Sequence, residues 1–260
     1  MKTWWFLRAS WRLDAKAAAA FRWDSIIGVG VSLVWLGFAI APVLAAGRFL
    51  GEGDGWTEAR LLFLQAVWYW MDAIMWVVCV PNAEAFRQEI RQGRLDAKFL
   101  WPANSLAVVM LGRVGVADLH KFFIALGLGA WAVAAGAFPG SVWSVAGFIV
   151  CLLAASVIFW ALGVFTVYKA MTLFKFDGSV ALTAAHNLAR VPVGMYGPVL
   201  RLLLSSVFPV ILITTVPSTV FFGWSSWQLP LASATVAVAA VIVLKSAWRR
   251  ETRLYVGLQN

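Results

Sequence analysis

Few side chains in this sequence are of types and spacings that could carry out chemistry. The two histidines, His120 and His186, are far apart and have no matching ligands beside them, and Cys79 and Cys151 fall inside apolar runs. The sequence has no GxxxxGK[ST] phosphate loop, HExxH helix, CxxC pair or GxSxG elbow. We therefore expect ordinary hydrogen-bonded histidines and buried cysteines, with neither catalysis nor metal binding.

Asp72 is the titratable residue with the most unusual surroundings. It lies in the middle of a long apolar run, after Trp68 and between Trp70 and Trp76. A carboxylate there costs several kcal/mol unless it is paired or hydrated. Two interpretations stay open. Asp72 and Trp68 line a transport pathway or a subunit interface, or the carboxylate pairs with a basic or hydroxyl group on another helix.

A second polar group interrupts the third apolar region. Asp118 and His120 are candidates for the same pathway or interface, and Lys121 follows them directly. These residues lie nearer a membrane boundary, where long charged side chains reach water and charge costs less. A structural role is the alternative for both candidates.

The region 82–104, between the second and third apolar runs, predicts a short amphipathic helix. Asn82 can cap it, Phe86 and Ile90 form an apolar edge, and Gly93 would end it. A polar edge is formed by Arg87, Gln88 and Arg91. Such a helix either docks into a partner's groove or lies passively in the headgroup layer.

The composition indicates a membrane protein. Of the 260 residues, 62% are hydrophobic and 13% are charged, against about 25% charged residues in soluble domains. The net charge of +9 is spread between apolar runs, so membrane topology explains it better than nucleic-acid binding does. We predict one all-α transmembrane domain over 1–260.

Periodicity and helix breakers divide this domain into an interfacial helix and six spans. Residues 1–24 have apolar and basic sides at helical spacing, which is typical of an amphipathic helix in the headgroup layer. Pro81 should stop the second span, and Pro209 and Pro217 should break or kink the fifth near the outer face. The predicted spans are 25–47, 60–81, 117–138, 142–173, 198–222 and 229–246.

The Lys and Arg residues predict the orientation. Five lie in the N-terminal segment, four in the bend after the second span and four after the sixth, whereas the turns on the other side carry few. Basic residues flank the cytoplasmic ends of spans. Both termini and the 82–104 region are therefore predicted to be cytoplasmic.

Two stretches of the sequence carry a family resemblance. The first is the run Ile90-Arg91-Gln92-Gly93-Arg94-Leu95-Asp96, continuing through Leu100, Pro102 and Asn104 to Arg113 and Asp118. The second runs from Pro192 and Tyr196 through Arg201, Phe208 and Pro209 to Pro217. They resemble a bacterial branch of the ABC type-2 exporter permeases, and with the six-span layout the resemblance covers nearly the whole chain. Val191 and Trp101 depart from the pattern and leave the subfamily open.

The resemblance implies a transmembrane subunit, not an enzyme. It would pair with a second permease, with a heterodimer favoured over a homodimer, and two ABC ATPase subunits would bind beneath and hold the ATP and Mg²⁺. The helix between spans 2 and 3 would be the coupling helix, with Phe86 and Ile90 as apolar anchors. Pro209 and Pro217 would shape an outer gate. Charged contacts to the ATPase would come from Arg87, Glu89, Arg91, Arg94 and Asp96.

The resemblance further implies export across the bacterial cytoplasmic membrane by alternating access. A wall rich in Trp and aliphatic residues would suit an amphiphilic cargo such as a lipid, drug or peptide, although such residues more often face lipid or pack in the core. Membrane lipids would surround the chain, and no nucleic acid would bind it. Two other functions stay open. One is a non-transporting scaffold or regulatory subunit, and the other is a secondary transporter, which needs ion-coupling acids of which only Asp72 fits.

Overall fold

Helices form every regular element in the described part of the chain. The computed structural model describes residues 2–50, 55–173, 178–206 and 210–258, so the predicted gate residue Pro209 lies outside the described residues. The helices are α1 (Lys2–Ala20), α2 (Arg22–Leu50), α3 (Glu58–Ile74), α4 (Val80–Arg91), α5 (Leu95–Phe99), α6 (Ser105–Met110), α7 (His120–Ala134), α8 (Val142–Phe165), α9 (Ser179–Leu188), α10 (Pro198–Ser206), α11 (Thr215–Phe221) and α12 (Gln228–Leu258).

Five helical stretches among the described residues are long and apolar enough to cross a membrane. They correspond to the predicted spans 1 to 4 and 6, although α12 continues well beyond the predicted end of the last span. The stretches are Ser25–Ala45, Glu58–Arg91, Val116–Ala134, Val142–Met171 and Gln228–Tyr255.

The predicted fifth span, 198–222, is not one continuous helix. It consists of the short helices α10 and α11, and Pro217 lies inside α11. The end of α9 lies beside the start of α11, because the Thr214 hydroxyl donates to the Ala189 carbonyl (2.6 Å) and the Val193 N–H donates to Thr215 Oγ1 (3.2 Å). A break in a helix leaves backbone N–H and carbonyl groups without partners, and inside a membrane such groups must be paired within the protein. The hydroxyls of Thr214 and Thr215 pair with two of these groups.

Pro81 does not end the helix that contains the second span, so the predicted helix break is wrong. α3 passes through a π-helical turn at Met75–Cys79 into α4, and the helix is unbroken from Glu58 to Arg91. Pro81 has no N–H to donate to the Val77 carbonyl four residues earlier. That carbonyl instead accepts the Gly115 N–H at 2.8 Å. The Val77 carbonyl, which the proline leaves without a donor in its own helix, is therefore paired with a distant loop.

Asn82 is a clamp inside this helix and not the predicted cap. Its side-chain amide donates to the Arg113 carbonyl (2.8 Å) and to the Val78 carbonyl (2.6 Å), and its Oδ1 accepts the Arg113 N–H (2.8 Å). The prediction failed because a capping residue must precede the first turn, whereas the helix has no break here. Asn82 fastens the loop before α7 to the middle of the long helix.

α1 lies against the same loop. The Trp11 indole donates to the Leu111 carbonyl (2.8 Å), and Asp14 accepts from the Arg113 guanidinium (2.9 Å) and the Val114 N–H (3.0 Å). The predicted N-terminal helix is therefore present. Its position in a headgroup layer stays a prediction.

The three basic segments of the sequence lie at one end of the molecule, which we call the basic end. α12 reaches it and packs on the α4–α6 segment: Trp248 donates to Ser105 Oγ (3.1 Å) and the Tyr255 ring meets Phe99 edge-on. The buried Glu251 accepts from Lys169 (3.0 Å) at the end of the fourth span. This grouping is what the predicted topology, with both termini on one side, requires.

Candidate functional site

The tip of the long helix is formed by a defined turn. Gly93 has φ +65°, its N–H donates to the Ile90 carbonyl (3.1 Å), and the Arg94 N–H donates to the Glu89 carbonyl (2.9 Å). These two bonds are the Schellman pattern, which pairs the last free carbonyls of a helix. The prediction that Gly93 ends the helix is confirmed, and α5 begins at Leu95.

The apolar edge of α4 faces the chain's own core. Phe86 is 0% exposed and Ile90 is 7% exposed, and both belong to a cluster with Leu95, Met110 and Trp248. The two side chains are therefore not available as anchors for a partner, which corrects the role predicted for them. The physical reason is that α6, the end of α8 and α12 already cover this edge.

The charged residues of α4 and α5 divide into exposed and internal ones. Arg91 and Arg94 are exposed, whereas Arg87 and Asp96 are half-buried. Glu89 forms an ion pair with Lys98 across the turn (2.6 Å). The outer surface of the tip consists of Glu84, Gln88, Arg91, Gln92, Arg94 and Ala97, which are all exposed.

The helix from Glu58 to Arg91 is longer than a membrane crossing needs. Its 34 residues rise about 51 Å at about 1.5 Å per residue, whereas the hydrocarbon core is about 30 Å thick. The excess of about 20 Å lies toward the basic end, since the apolar residues are concentrated before Pro81. The tip is therefore the part of this helix best placed to meet another protein outside the bilayer.

Asp72 has a basic partner on another helix. Lys121 Nζ lies 2.9 Å from Asp72 Oδ2 and 3.6 Å from Asp118 Oδ1. It also lies 4.8 Å from the centre of the Trp76 ring. Asp72 is 9% exposed and Lys121 is 8% exposed. The geometry supports the structural interpretation, in which the pair offsets the cost of burying either charge between α3 and α7.

His186 adjoins this pair without bonding to it. Its Nε2 lies 4.0 Å from Asp72 Oδ1, beyond hydrogen-bond distance. The His186 ring stacks on Trp68 (4.5 Å), whose indole donates to the His186 carbonyl (2.8 Å). α9 is not one of the five candidate spans, and burial lowers the pKa of His186 to about 4. The ring is therefore neutral at pH 7.

Arg190 is the last member of a group of polar residues around Asp72, Lys121 and His186, which we call the polar cluster. Its guanidinium lies over the Trp68 ring (4.6 Å), and its carbonyl accepts from Gln65 Nε2 (2.6 Å). Burial lowers the pKa of Arg190, but it stays charged at neutral pH. Gln65 and Trp68 thus hold the end of α9 and the residues that follow it against α3.

His120 contacts a different helix. Its Nδ1 lies 2.8 Å from the Ala117 carbonyl, so Nδ1 carries the proton, and Nε2 accepts the Ser32 hydroxyl at 2.9 Å when the ring is neutral. Tyr69 donates to the Ser32 carbonyl (3.3 Å). Asp72, Asp118 and His120 therefore come together around the start of α7, and Trp68 lies one turn before Asp72 on α3.

A family model described as ABC-2 family transporter protein matches residues 38–258. The chain belongs to this family. No curated protein and no solved structure matches it. As an ABC-2 transporter protein, the chain is a multi-pass membrane protein of a class that generally serves as transport subunits and associates with ABC ATPase subunits.

The sequence of this ABC-2 transporter protein did not reveal which residues complete the polar cluster. Lys121 is 49 residues from its partner Asp72, and no periodicity links the two. His186 and Arg190 gave no signal beyond their polar character in a short stretch. Within the described ranges, no three His, Cys, Asp or Glu side chains converge in a way that could hold a metal ion.

Proposed function

We propose that this chain is the permease subunit of an ATP-driven exporter and that the tip formed by α4 and α5 is where an ABC ATPase docks. The observation that carries the proposal is the unbroken helix from Glu58 to Arg91, which exceeds the hydrocarbon core of a bilayer by about 20 Å. Membership of the ABC-2 family supplies the kind of partner.

The exposed charge of the tip suits a docking surface. Arg91 and Arg94 lie on either side of the turn at Gly93 and are exposed, while Phe86 and Ile90 hold the turn from inside. The Glu89–Lys98 ion pair spans the same turn. A rigid tip presenting arginines would bind an acidic groove, because charge complementarity fixes orientation at an interface.

The mechanism would convert ATP binding into movement of the permease. The ATPase subunits would hold ATP and Mg²⁺, and their closure would displace the tips of two paired permeases. The long helix would pass this movement to the membrane, where the two permeases would open to alternate sides. We further propose an amphiphilic cargo, a heterodimer with a sister permease, a bacterial inner membrane and cytoplasmic termini.

Co-purification tests the docking surface. The variant Arg91→Glu/Arg94→Glu reverses two exposed charges at the tip, and Arg249→Glu/Arg250→Glu makes the same change at two exposed positions on α12 at the basic end. Each tagged chain is purified in mild detergent from its native host, and the ATPase is identified by mass spectrometry. We expect the tip variant to lose the ATPase and the control to retain it.

Equal recovery of the ATPase by both variants would contradict docking at the tip. Matching gel-filtration profiles would show that both variants fold. An ATPase whose activity is stimulated by the chain, with no cargo moved in vesicles, would favour the scaffold function over the exporter.

A further inference from the structure

A cavity of about 220 Å³ opens on the side of the helix bundle, away from the tip. It lies between α3, α7, α8 and α11, three of which belong to the candidate spans. All of its lining residues are apolar or aromatic, with the Trp70 indole N–H as the one polar group among their side chains: Phe63, Ala66, Val67, Trp70, Ala125, Leu126, Gly129, Ala130, Val133, Phe148, Leu152 and Phe221.

Small residues on two facing helices create the cavity. Ala66 on α3 faces Gly129 on α7, and a Cβ added at Gly129 would lie 3.6 Å from the Ala66 Cβ, at ordinary contact distance. Ala125 lies one turn before Gly129 on the same side. A larger side chain at Gly129 would extend into the empty space, so the cavity depends on this glycine.

The two ends of the cavity are closed by aromatic rings. Phe63 stacks on Phe221 (4.1 Å), and Phe148 lies 5.4 and 5.3 Å from these rings. At the other end the Trp70 indole donates to Ser156 Oγ (3.2 Å), and its ring meets Phe122 edge-on (4.7 Å). The one polar group of the lining is therefore already satisfied, which leaves no polar attraction for a ligand.

The shape of the cavity fits an extended hydrocarbon chain. On α7 it reaches from Ala125 to Val133, about 12 Å at about 1.5 Å per residue. Leu126 on its rim is 60% exposed, so the cavity opens sideways where the bilayer surrounds the spans. If the cavity were empty, the side chains that line it would lose dispersion contacts. The acyl chains of the surrounding bilayer are the molecules available to fill it.

We propose that this groove holds a segment of one acyl chain of a bilayer phospholipid, lying parallel to α3 and α7. The proposal rests on the membrane placement of the chain and not on the ATPase or the cargo. The bound chain would replace side-chain packing that Ala66 and Gly129 do not supply. It would therefore act as part of the contact between the second, third and fourth helical spans.

Photocrosslinking tests this site. The whole purified chain is reconstituted in phosphatidylcholine vesicles containing a phosphatidylcholine with a diazirine in one acyl chain, illuminated, and mapped by peptide mass spectrometry. The variant Gly129→Leu fills the groove. Gly127→Leu is the matched control, because Gly127 is exposed on the same helix and a Cβ there meets nothing within 4 Å.

We expect adducts on the groove residues in the unaltered chain and in Gly127→Leu, and their loss in Gly129→Leu. Adducts that persist in Gly129→Leu would overturn the proposal. So would labelling no denser in the groove than on the exposed faces of α2 and α12, or crosslinks from the groove to a second copy of the chain, since a protein would then cover it. No ATPase is present, so failure here leaves the proposed export function untouched.

Discussion

Replacing Lys121 with methionine would leave Asp72 buried without its ion-pair partner. The two charged groups lie 2.9 Å apart, and both residues are buried. Removing one partner of a buried ion pair typically costs about 3–5 kcal/mol, because the remaining charge is uncompensated. His186 could not compensate, since it is neutral at pH 7 and 4.0 Å away. We expect Lys121→Met to destabilise the protein by about this amount.

The two single substitutions in this ion pair should lower the stability of the protein by different amounts. In Asp72→Asn, Lys121 keeps a second carboxylate, Asp118, at 3.6 Å, so the charge that remains is still paired. In Lys121→Met, Asp72 keeps no basic partner among its described ion pairs. Asp72→Asn should therefore cost less than Lys121→Met. The double variant should be more stable than Lys121→Met alone, because it leaves no unpaired charge.

Thermal unfolding followed by tryptophan fluorescence measures these differences, since the chain has 16 tryptophans and Trp76 lies beside Lys121. At about 2–4 °C per kcal/mol, 3–5 kcal/mol lowers the midpoint by about 6–20 °C. Phe123→Leu, an exposed change on α7 outside the cavity lining, should leave the midpoint unmoved. A Lys121→Met midpoint equal to that of the unaltered chain, or a double variant no more stable than Lys121→Met, would refute the reasoning.

Two further predictions concern buried polar groups. Asn82→Ala removes the hydrogen bonds that Asn82 makes to Arg113 and Val78, and should lower the free energy of unfolding by about 2–3 kcal/mol at about 1 kcal/mol per lost bond. Faster tryptic cleavage after Arg113 is the measurement. The control Gln88→Ala, at an exposed position, should leave the cleavage rate unchanged. Because the pKa of His186 is lowered to about 4, the unfolded chain binds a proton that the folded chain does not. Stability should fall as pH drops from about 6.5 to about 4, and the thermal midpoint of His186→Gln should fall less over that window.

The sequence was a good guide wherever the relevant interactions are local. Gly93 ends its helix as predicted, because the turn needs a residue with positive φ and supplies its own hydrogen bonds. The basic segments lie at one end because charge distribution follows the order of the spans. Long apolar runs likewise predicted the five helical stretches that are long and apolar enough to cross a membrane.

The sequence failed where a distant residue changes the outcome. Pro81 breaks a helix in isolation, yet Gly115 satisfies the carbonyl that the proline leaves free. The apolar edge of Phe86 and Ile90 is the same in sequence whether it faces a partner or the chain's own core. The packing of α6, α8 and α12 against this edge decides between the two. The lysine that pairs with Asp72 could not be chosen from spacing alone.

The clamp at Asn82 divides the long helix into two unequal arms. At about 1.5 Å per residue, the arm from Asn82 to Arg91 is about 14 Å long and the arm from Glu58 to Asn82 is about 36 Å long. If the helix pivots at Asn82, it would act as a lever. The ratio of the two arm lengths means that a sideways displacement of about 1 Å at the tip would move the far end by about 2.6 Å in the opposite direction. The fulcrum is stiff because Gly115 and Asn82 brace the helix where Pro81 would otherwise let it fold.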